Sequence, residues 1–212
     1  MSKCVFSVIE SRWWSDGNHS VRPLFEALAG IHYDNPSAFY YDMFSEKQSL
    51  SSGLRMRCRD GQTQVVYLAT HGSDSTIGGA SGQVITRTEL RNMLTTHNKT
   101  KQVKGLYLGT CLMGNQSLAK FLLEAPDTHL DWVAGYKEEV DWIDGSAIDM
   151  IFFSKLAEEY RKNSSRRKGK KTSRQMAHIA GSELLQLVPG AHSKYGFNIF
   201  MHESRKLTSI FS

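Results

Sequence analysis

The chain has 212 residues, of which 40% are hydrophobic and 22% charged, values typical of one large globular domain with a substantial core. It contains no run of about 18 apolar residues, so no transmembrane helix and no membrane partner are expected. The first residues, MSKCVFSVIESRWW, lack the apolar core and the small-residue cleavage site of a signal peptide, so a cytoplasmic location is the expectation.

The positive charge of the chain is concentrated in one short segment. The net charge is +5, and residues 161–174 (RKNSSRRKGKKTSR) hold eight of the 26 basic residues and no acidic one. The rest of the chain has 18 basic and 21 acidic residues, a net charge of −3. Such a run is typical of a solvated, disordered loop. Because no nucleic-acid-binding motif accompanies it, nucleic acid is not an expected partner.

The three cysteines, Cys4, Cys58 and Cys111, are an odd number and include no CxxC pair. The count does not indicate a disulfide framework, and the spacing does not indicate a zinc site. Reduced thiols are therefore expected, with no metal. Cys4 lies in an apolar, strand-like run and is predicted to be a core residue, whereas Cys58 lies among charged residues.

The first half of the chain alternates between strand-like and helical patterns. Leu24, Leu28 and Ile31 recur at helical spacing after Ser20, a suitable N-cap. Thr86 and Glu89 form the pattern of a capping box. The elements predicted in chain order are a strand at 3–9, a helix at 20–31, a strand at 37–44, a helix at 45–59, a strand at 63–70, a Gly/Ser-rich loop or tight hairpin at 72–83, and a helix at 86–97.

The second half continues this alternation. The predicted elements are a strand at 103–110, a helix at 115–125, a strand at 131–136, a helix at 146–162, the basic loop at 161–174, a helix at 173–188 and a closing strand at 195–203. Alternating strands and helices favour βαβ units. The sequence therefore predicts a single α/β domain over residues 1–212, with about six mostly parallel strands and helices on both faces of the sheet.

Two predicted strands end on residues that together form a nucleophilic pair. VVYLATHGSD (65–74) ends its apolar run at His71, and GLYLGTCLMG (105–114) has Cys111 in the matching place. Functional groups of open α/β sheets gather beyond the carboxyl ends of the strands. A thiolate beside an imidazole is the basis of cysteine-dependent acyl transfer. Taken singly, Cys111 is also compatible with a small core residue and His71 with a surface histidine.

Several other classes of site lack their motifs. The chain has no GxGxxG or GxxxxGK[ST] phosphate loop, no GxSxG nucleophile elbow and no HExxH metal motif. No cofactor is therefore expected.

The strand–His-Gly block, the segment ITRTEL (85–90) and the strand–Cys block together resemble caspase-like (clan CD) cysteine peptidases, and bacterial CHAT domains most of all. The order of the histidine and the cysteine matches, and their separation of 40 residues is close to the roughly 50 known for caspases. The resemblance covers residues 3–136 well and the rest loosely.

The resemblance implies a caspase-like fold and a thiol protease that hydrolyses peptide bonds through a thioacyl intermediate. His71 would be the catalytic histidine and Cys111 the nucleophile, with the backbone N–H groups of Gly72 and Cys111 as the oxyanion hole. It also implies a protein or peptide substrate, a regulatory partner protein, and a bacterial antiviral-defence or cell-death context. The caspase box QAC[RQG]G is replaced by GTCLMG (109–114), which does not favour aspartate specificity.

An acidic segment follows the strand at 131–136 and suggests a pocket for Arg or Lys. In KEEVDWIDG (137–145), Asp141 is the preferred pocket residue, because Val140 and Trp142 flank it, and Asp144 is the second. Alternatively these acids solvate a loop and cap a helix that starts near Ser146, with Asp144 as the cap. The rival prediction is aspartate specificity through Arg12, after the first strand.

Two alternatives to a peptidase stay open, a catalytically inactive caspase-like scaffold that binds protein partners and a nucleic-acid-binding module that uses the basic loop. For a peptidase, the loop at 161–174 is a predicted site of self-processing, because it joins two well-patterned helices.

Overall fold

The computed structural model describes residues 4–12, 14, 18–73, 75–203 and 206–211. Within them the strands are β1 (Phe6–Ser11), β2 (Tyr40–Phe44), β3 (Val65–Ala69), β4 (Thr76–Gly78), β5 (Val84–Thr86), β6 (Gly105–Gly109), β7 (Trp132–Gly135), β8 (Asn198–Glu203) and β9 (Lys206–Ser209). The helices are α1 (Arg22–Tyr33), α2 (Lys47–Arg57), α3 (Arg87–His97), α4 (Gln116–Leu123), α5 (Trp142–Ser164), α6 (Ser173–Leu187) and α7 (Gly190–Tyr195).

Seven strands form the central sheet, in the order β2-β1-β3-β6-β7-β8-β9. The five strands from β2 to β7 in that order are parallel, and β8 and β9 are antiparallel to their neighbours. The predicted α/β fold with a mostly parallel sheet is confirmed. The prediction that the strand at 195–203 closes the chain is wrong, because β9 follows it.

Each face of the sheet is covered by its own set of helices, which explains why its inner strands β3, β6 and β7 are largely apolar. Along β3, Tyr67 points into the cluster that contains residues of α1, α5 and α6. Val66 and Leu68 point into the cluster that contains residues of α2, α3 and α4. Both faces of the inner strands are therefore buried, so a functional site is expected at the ends of the strands.

The Gly/Ser-rich segment after β3 is a hairpin, one of the two structures predicted for it. Strands β4 and β5 pair antiparallel and turn Ile77 and Ile85 into the core. The short helix α7 and strand β9 were not predicted, because neither GAHSKY nor KLTS has the apolar periodicity of an independent element.

Helix α5 is longer at both ends than predicted. It begins at Trp142, with Asp141 as its N-cap, and runs for 23 residues to Ser164. Helix α6 begins at Ser173, so helices take both ends of the predicted loop at 161–174 and the connection is 165–172. The side chain of Asn163 pairs with the backbone of Lys171 at 2.7 and 3.0 Å, and Lys171 also contacts Glu159.

Candidate active site

His71 and Cys111 lie at equivalent positions of neighbouring strands. Strands β3 and β6 are parallel, and Ala69 is paired with Gly109 in their register. Each of the two candidate residues follows its paired residue by two positions. The fold therefore brings both to the carboxyl edge of the sheet, as the sequence predicted, on adjacent loops.

Gly72 allows these two loops to touch. A Cβ atom at this position would lie 2.9 Å from the carbonyl oxygen of Cys111, 2.9 Å from Cγ of Met113 and 3.0 Å from Oγ1 of Thr110. Real Cβ contacts are rarely this short, so any side chain would force the loops apart. The requirement for glycine here is a close backbone approach.

A tight turn follows Cys111. The N–H of Met113 donates to the carbonyl of Cys111 at 2.8 Å, and Leu112 between them has a φ of 66°. This is a γ-turn with a positive central φ, a rare conformation for a residue with a side chain. Asn115 supports the turn, because its Nδ2 donates to the carbonyl of Leu112 at 3.0 Å while its Oδ1 caps α4 through Leu118 N–H at 2.9 Å.

The loop is also fixed to the neighbouring strand. Gly114 N–H donates to the carbonyl of Tyr136 at 2.7 Å, and a Cβ on Gly114 would overlap the backbone of Gly135. Within the described part of the chain, the N–H groups of Gly72 and Cys111 form no hydrogen bond.

His71 and Cys111 line one cavity of about 130 Å³ at this edge. Thr110 is part of the wall, and so are Val140, Trp142 and Tyr67. The sulfur of Cys111 lies 3.6 Å from the carbonyl oxygen of Val140. Cys111 is partly exposed, whereas Cys4 and Cys58 are buried, and burial raises the pKa of each of those two thiols to about 12.

The predicted pocket residues have different places. Asp141 lines the cavity, but its carboxylate is the N-cap of α5 and accepts the N–H groups of Asp144 and Ile143, both at 3.0 Å. These bonds lower its pKa. Asp144 does not cap the helix; it accepts from Tyr195 and lies 3.4 Å from Nζ of Lys194. Arg12 is exposed, donates to the carbonyl of Trp14 at 3.3 Å and does not line the cavity.

A buried carboxylate that was not predicted lies at this cavity. Asp149, on α5, is 6% exposed and lines the cavity wall. Its Oδ2 accepts from Tyr67 at 2.5 Å, and its Oδ1 accepts from Tyr136 at 2.5 Å and from Tyr107. Burial raises the pKa of Asp149 to about 6, although the tyrosine hydrogen bonds oppose that rise. Burial also raises the pKa of the three tyrosines.

The sequence carries a weak signal for this group. Asp149 interrupts the apolar face of α5 in SAIDMIFF, and a tyrosine stands in the middle of β3, in the middle of β6 and directly after β7. Only the fold shows that these four residues meet.

No known protein family matches the chain in a comparison with family models, and no curated protein matches it either. Within the described residues, no group of three or more His, Cys, Asp and Glu side chains could hold a metal ion. No helix in that part of the chain is long and apolar enough to cross a membrane. The cavity brings together a thiol, an imidazole and a buried carboxylate.

Proposed function

We propose that the chain is a cysteine endopeptidase with a caspase-like fold, in which Cys111 is the nucleophile and His71 its acid–base partner. The observation that carries the proposal is the matched position of the two residues, each two places beyond the paired Ala69 and Gly109, on the wall of one cavity. A thiol and an imidazole at one cavity are the minimal set for nucleophilic acyl transfer.

The reaction proceeds in two steps. The thiolate of Cys111 attacks the carbonyl carbon of the scissile peptide bond, and the N–H groups of Gly72 and Cys111 donate to the oxygen that becomes negative. His71 gives its proton to the leaving amine as the C–N bond breaks, which leaves a thioacyl enzyme. Water then attacks the thioester, His71 takes a proton from it, and the carboxylic acid and the thiolate are released.

The substrate is a protein or peptide segment that presents its backbone to the carboxyl edge of the sheet. The three unpaired thiols suit a reducing compartment, so we place the protein in the cytoplasm. A role in bacterial defence or cell death, with a regulatory partner protein, is part of the same proposal. It rests on the resemblance of the His-Gly and Cys blocks to CHAT domains.

Cleavage of a fluorogenic peptide library tests the proposal. Wild type is expected to cleave some library members, and Cys111→Ala and His71→Ala are each expected to cleave none. Cys58→Ala and His178→Ala are the matched controls, because Cys58 is buried and His178 lies on α6 away from the cavity. Both should retain cleavage. If folded wild type cleaves no peptide, the inactive-scaffold alternative takes the place of this proposal.

A further inference from the structure

The buried carboxylate of Asp149 has one unused acceptor position. A carboxylate offers about four lone-pair sites, two on each oxygen. Tyr107 and Tyr136 take the two sites on Oδ1, and Tyr67 takes one of the two on Oδ2. One site on Oδ2 is therefore left at the wall of the cavity that also contains Cys111.

The described partners of this carboxylate are hydroxyl groups. Asp149 forms no ion pair with a described Lys, Arg or His side chain. Buried charges in proteins are normally paired, so this cavity presents unbalanced negative charge.

A second polar group at the cavity also lacks a partner. Thr110 lines the wall, is 2% exposed, and its hydroxyl has no hydrogen-bond partner among the described residues. An unsatisfied buried hydroxyl is uncommon in native proteins and calls for an explanation, which a polar group bound in the cavity would supply.

Much of the remaining wall is apolar. Val21, Val140 and the ring of Tyr67 are part of it, and that ring is stacked on Tyr107 with 5.3 Å between centroids. Apolar walls of this kind suit the methylene stem of a long cationic side chain. The volume of about 130 Å³ is near the ~150 Å³ of a cavity that accommodates one benzene ring, so it fits one side chain.

We propose that this cavity is the specificity pocket for the residue whose carbonyl is cleaved, and that Asp149 makes it select lysine over arginine. An ammonium group needs only one acceptor on Oδ2 to pair with the carboxylate. A guanidinium is recognised best by two parallel hydrogen bonds, one to each oxygen of a carboxylate. The second of these bonds would have to go to Oδ1, where Tyr107 and Tyr136 already occupy both acceptor sites. The pocket residue is thus Asp149 rather than Asp141, whose carboxylate caps α5. This inference rests on the proposed peptidase function.

Peptides that differ only at the cleaved position test the inference. The series contains lysine, arginine, norleucine, which has a neutral linear side chain, and aspartate. For wild type we expect kcat/KM for lysine to exceed that for arginine by about tenfold and that for norleucine by about 100-fold. For Asp149→Asn, the lysine-to-norleucine ratio should approach one, and comparing ratios within a variant removes any general loss of activity.

Tyr136→Phe provides the sharper comparison. It removes one of the two hydroxyls that occupy Oδ1, leaves one open acceptor site on each carboxylate oxygen, and should raise the arginine-to-lysine ratio several-fold. Tyr160→Phe is the matched control, because Tyr160 is also a buried tyrosine but bonds to Ser173 away from the cavity. Its ratio should equal that of wild type.

A measurement on wild type alone covers the case in which the variants fail to fold. Butylamine should inhibit cleavage of the lysine peptide competitively and more strongly than butylguanidine, and butanol should not inhibit. Equal cleavage of lysine and norleucine peptides by wild type, or equal inhibition by the three compounds, would overturn the inference and leave the peptidase proposal standing. If wild type cleaves no peptide at all, the proposed function itself fails.

Discussion

The ring of Tyr67 fills the space where a side chain at Gly109 would lie. A Cβ on Gly109 would overlap the ring and its hydroxyl, and the same hydroxyl donates to Asp149. Because Gly109 on β6 has no side chain, the ring of Tyr67 on β3 can occupy this space and donate to Asp149 on α5.

Gly109→Ala should accordingly disturb both the fold and the pocket. Because the tyrosine ring must move, we expect a loss of about 1–3 kcal/mol in the free energy of unfolding, as for other overpacked cores. The lysine preference of any cleavage should fall as well. Denaturant unfolding and the peptide series measure the two effects. Gly190→Ala is the control, because no atom lies within 4 Å of its Cβ position; equal stability of the two variants would contradict the prediction.

Gly72→Ala should reduce activity more than stability. The new methyl group would meet the carbonyl oxygen of Cys111 at 2.9 Å, so the two site loops must separate while the core stays intact. We expect kcat/KM to fall by up to about 100-fold, the loss that a displacement of about 1 Å causes at a catalytic group. Gly78→Ala is matched to it, since this glycine is in β4 and its Cβ would lie 3.9 Å from Cβ of His71, an ordinary contact. Similar activity of Gly72→Ala and Gly78→Ala would show that the close approach at Gly72 is not what the activity depends on.

The sequence was informative wherever a local pattern decides the structure. Parallel strands end at a common edge, so two apolar runs followed by His71 and Cys111 were enough to place both residues together. The start of α5 was misplaced because two aspartates three positions apart, Asp141 and Asp144, are both suitable caps. Only backbone geometry selects the first of them.

The pocket carboxylate lay beyond local patterns for a different reason. Asp149 is surrounded by apolar residues in the sequence, and a polar residue on a helix is most often solvated. Its burial is compensated by hydroxyl groups from Tyr67, Tyr107 and Tyr136, which come from three separate segments. No single-segment periodicity contains that information, because it arises from the order of the strands in the sheet.

Asp149 should make stability depend on pH in a definite direction. Its pKa is raised from 3.8 to about 6 in the folded chain, so the folded state holds the proton more tightly than the unfolded state does. Its contribution to stability is therefore fully present below about pH 4 and is lost as the pH rises through 6. Relative to Asp149→Asn, the unfolding free energy of wild type should fall by about 1.4 kcal/mol per pH unit in that window.

Urea unfolding of wild type and Asp149→Asn at intervals from pH 4 to pH 8 measures this difference. The two stability curves should diverge up to about pH 6 and run parallel above it. Curves that are parallel across the whole range would show that Asp149 does not titrate as its burial requires.

The same titration should appear in substrate selection. Below pH 6 the protonated carboxyl of Asp149 no longer attracts an ammonium group, so the lysine-to-norleucine ratio of kcat/KM should decline towards one as the pH falls. Titration of the catalytic pair changes both rates equally and cancels in the ratio. A ratio that stays constant between pH 5 and pH 8 would exclude Asp149 as the group that selects the substrate.

Self-processing of the basic segment, if the chain performs it, must take place between molecules. The N-cap of α5 lines the cavity, and 23 helical residues carry the chain about 34 Å away before the connection 165–172 begins. At its far end this connection lies beside Gln64 and Lys104, which precede β3 and β6. Eight residues anchored at both ends reach only about 14 Å outwards, so they do not reach Cys111 of the same chain.

We therefore expect wild type to cleave added Cys111→Ala protein at a rate proportional to the wild-type concentration. Intact mass spectrometry follows the reaction, and cleavage of wild type alone should slow on dilution. Because the pocket is proposed to select lysine, replacing the three lysines of the connection (Lys168, Lys170 and Lys171) with Gln in the Cys111→Ala protein should suppress the cut, whereas replacing Arg166 and Arg167 with Gln should not. If the rate constant for cleavage of wild type alone does not change on dilution, the cut takes place within one molecule. That result would contradict the distance that α5 sets between Cys111 and the connection. Intact Cys111→Ala protein, in a mixture that still cleaves peptide, would show that the segment is not a processing site.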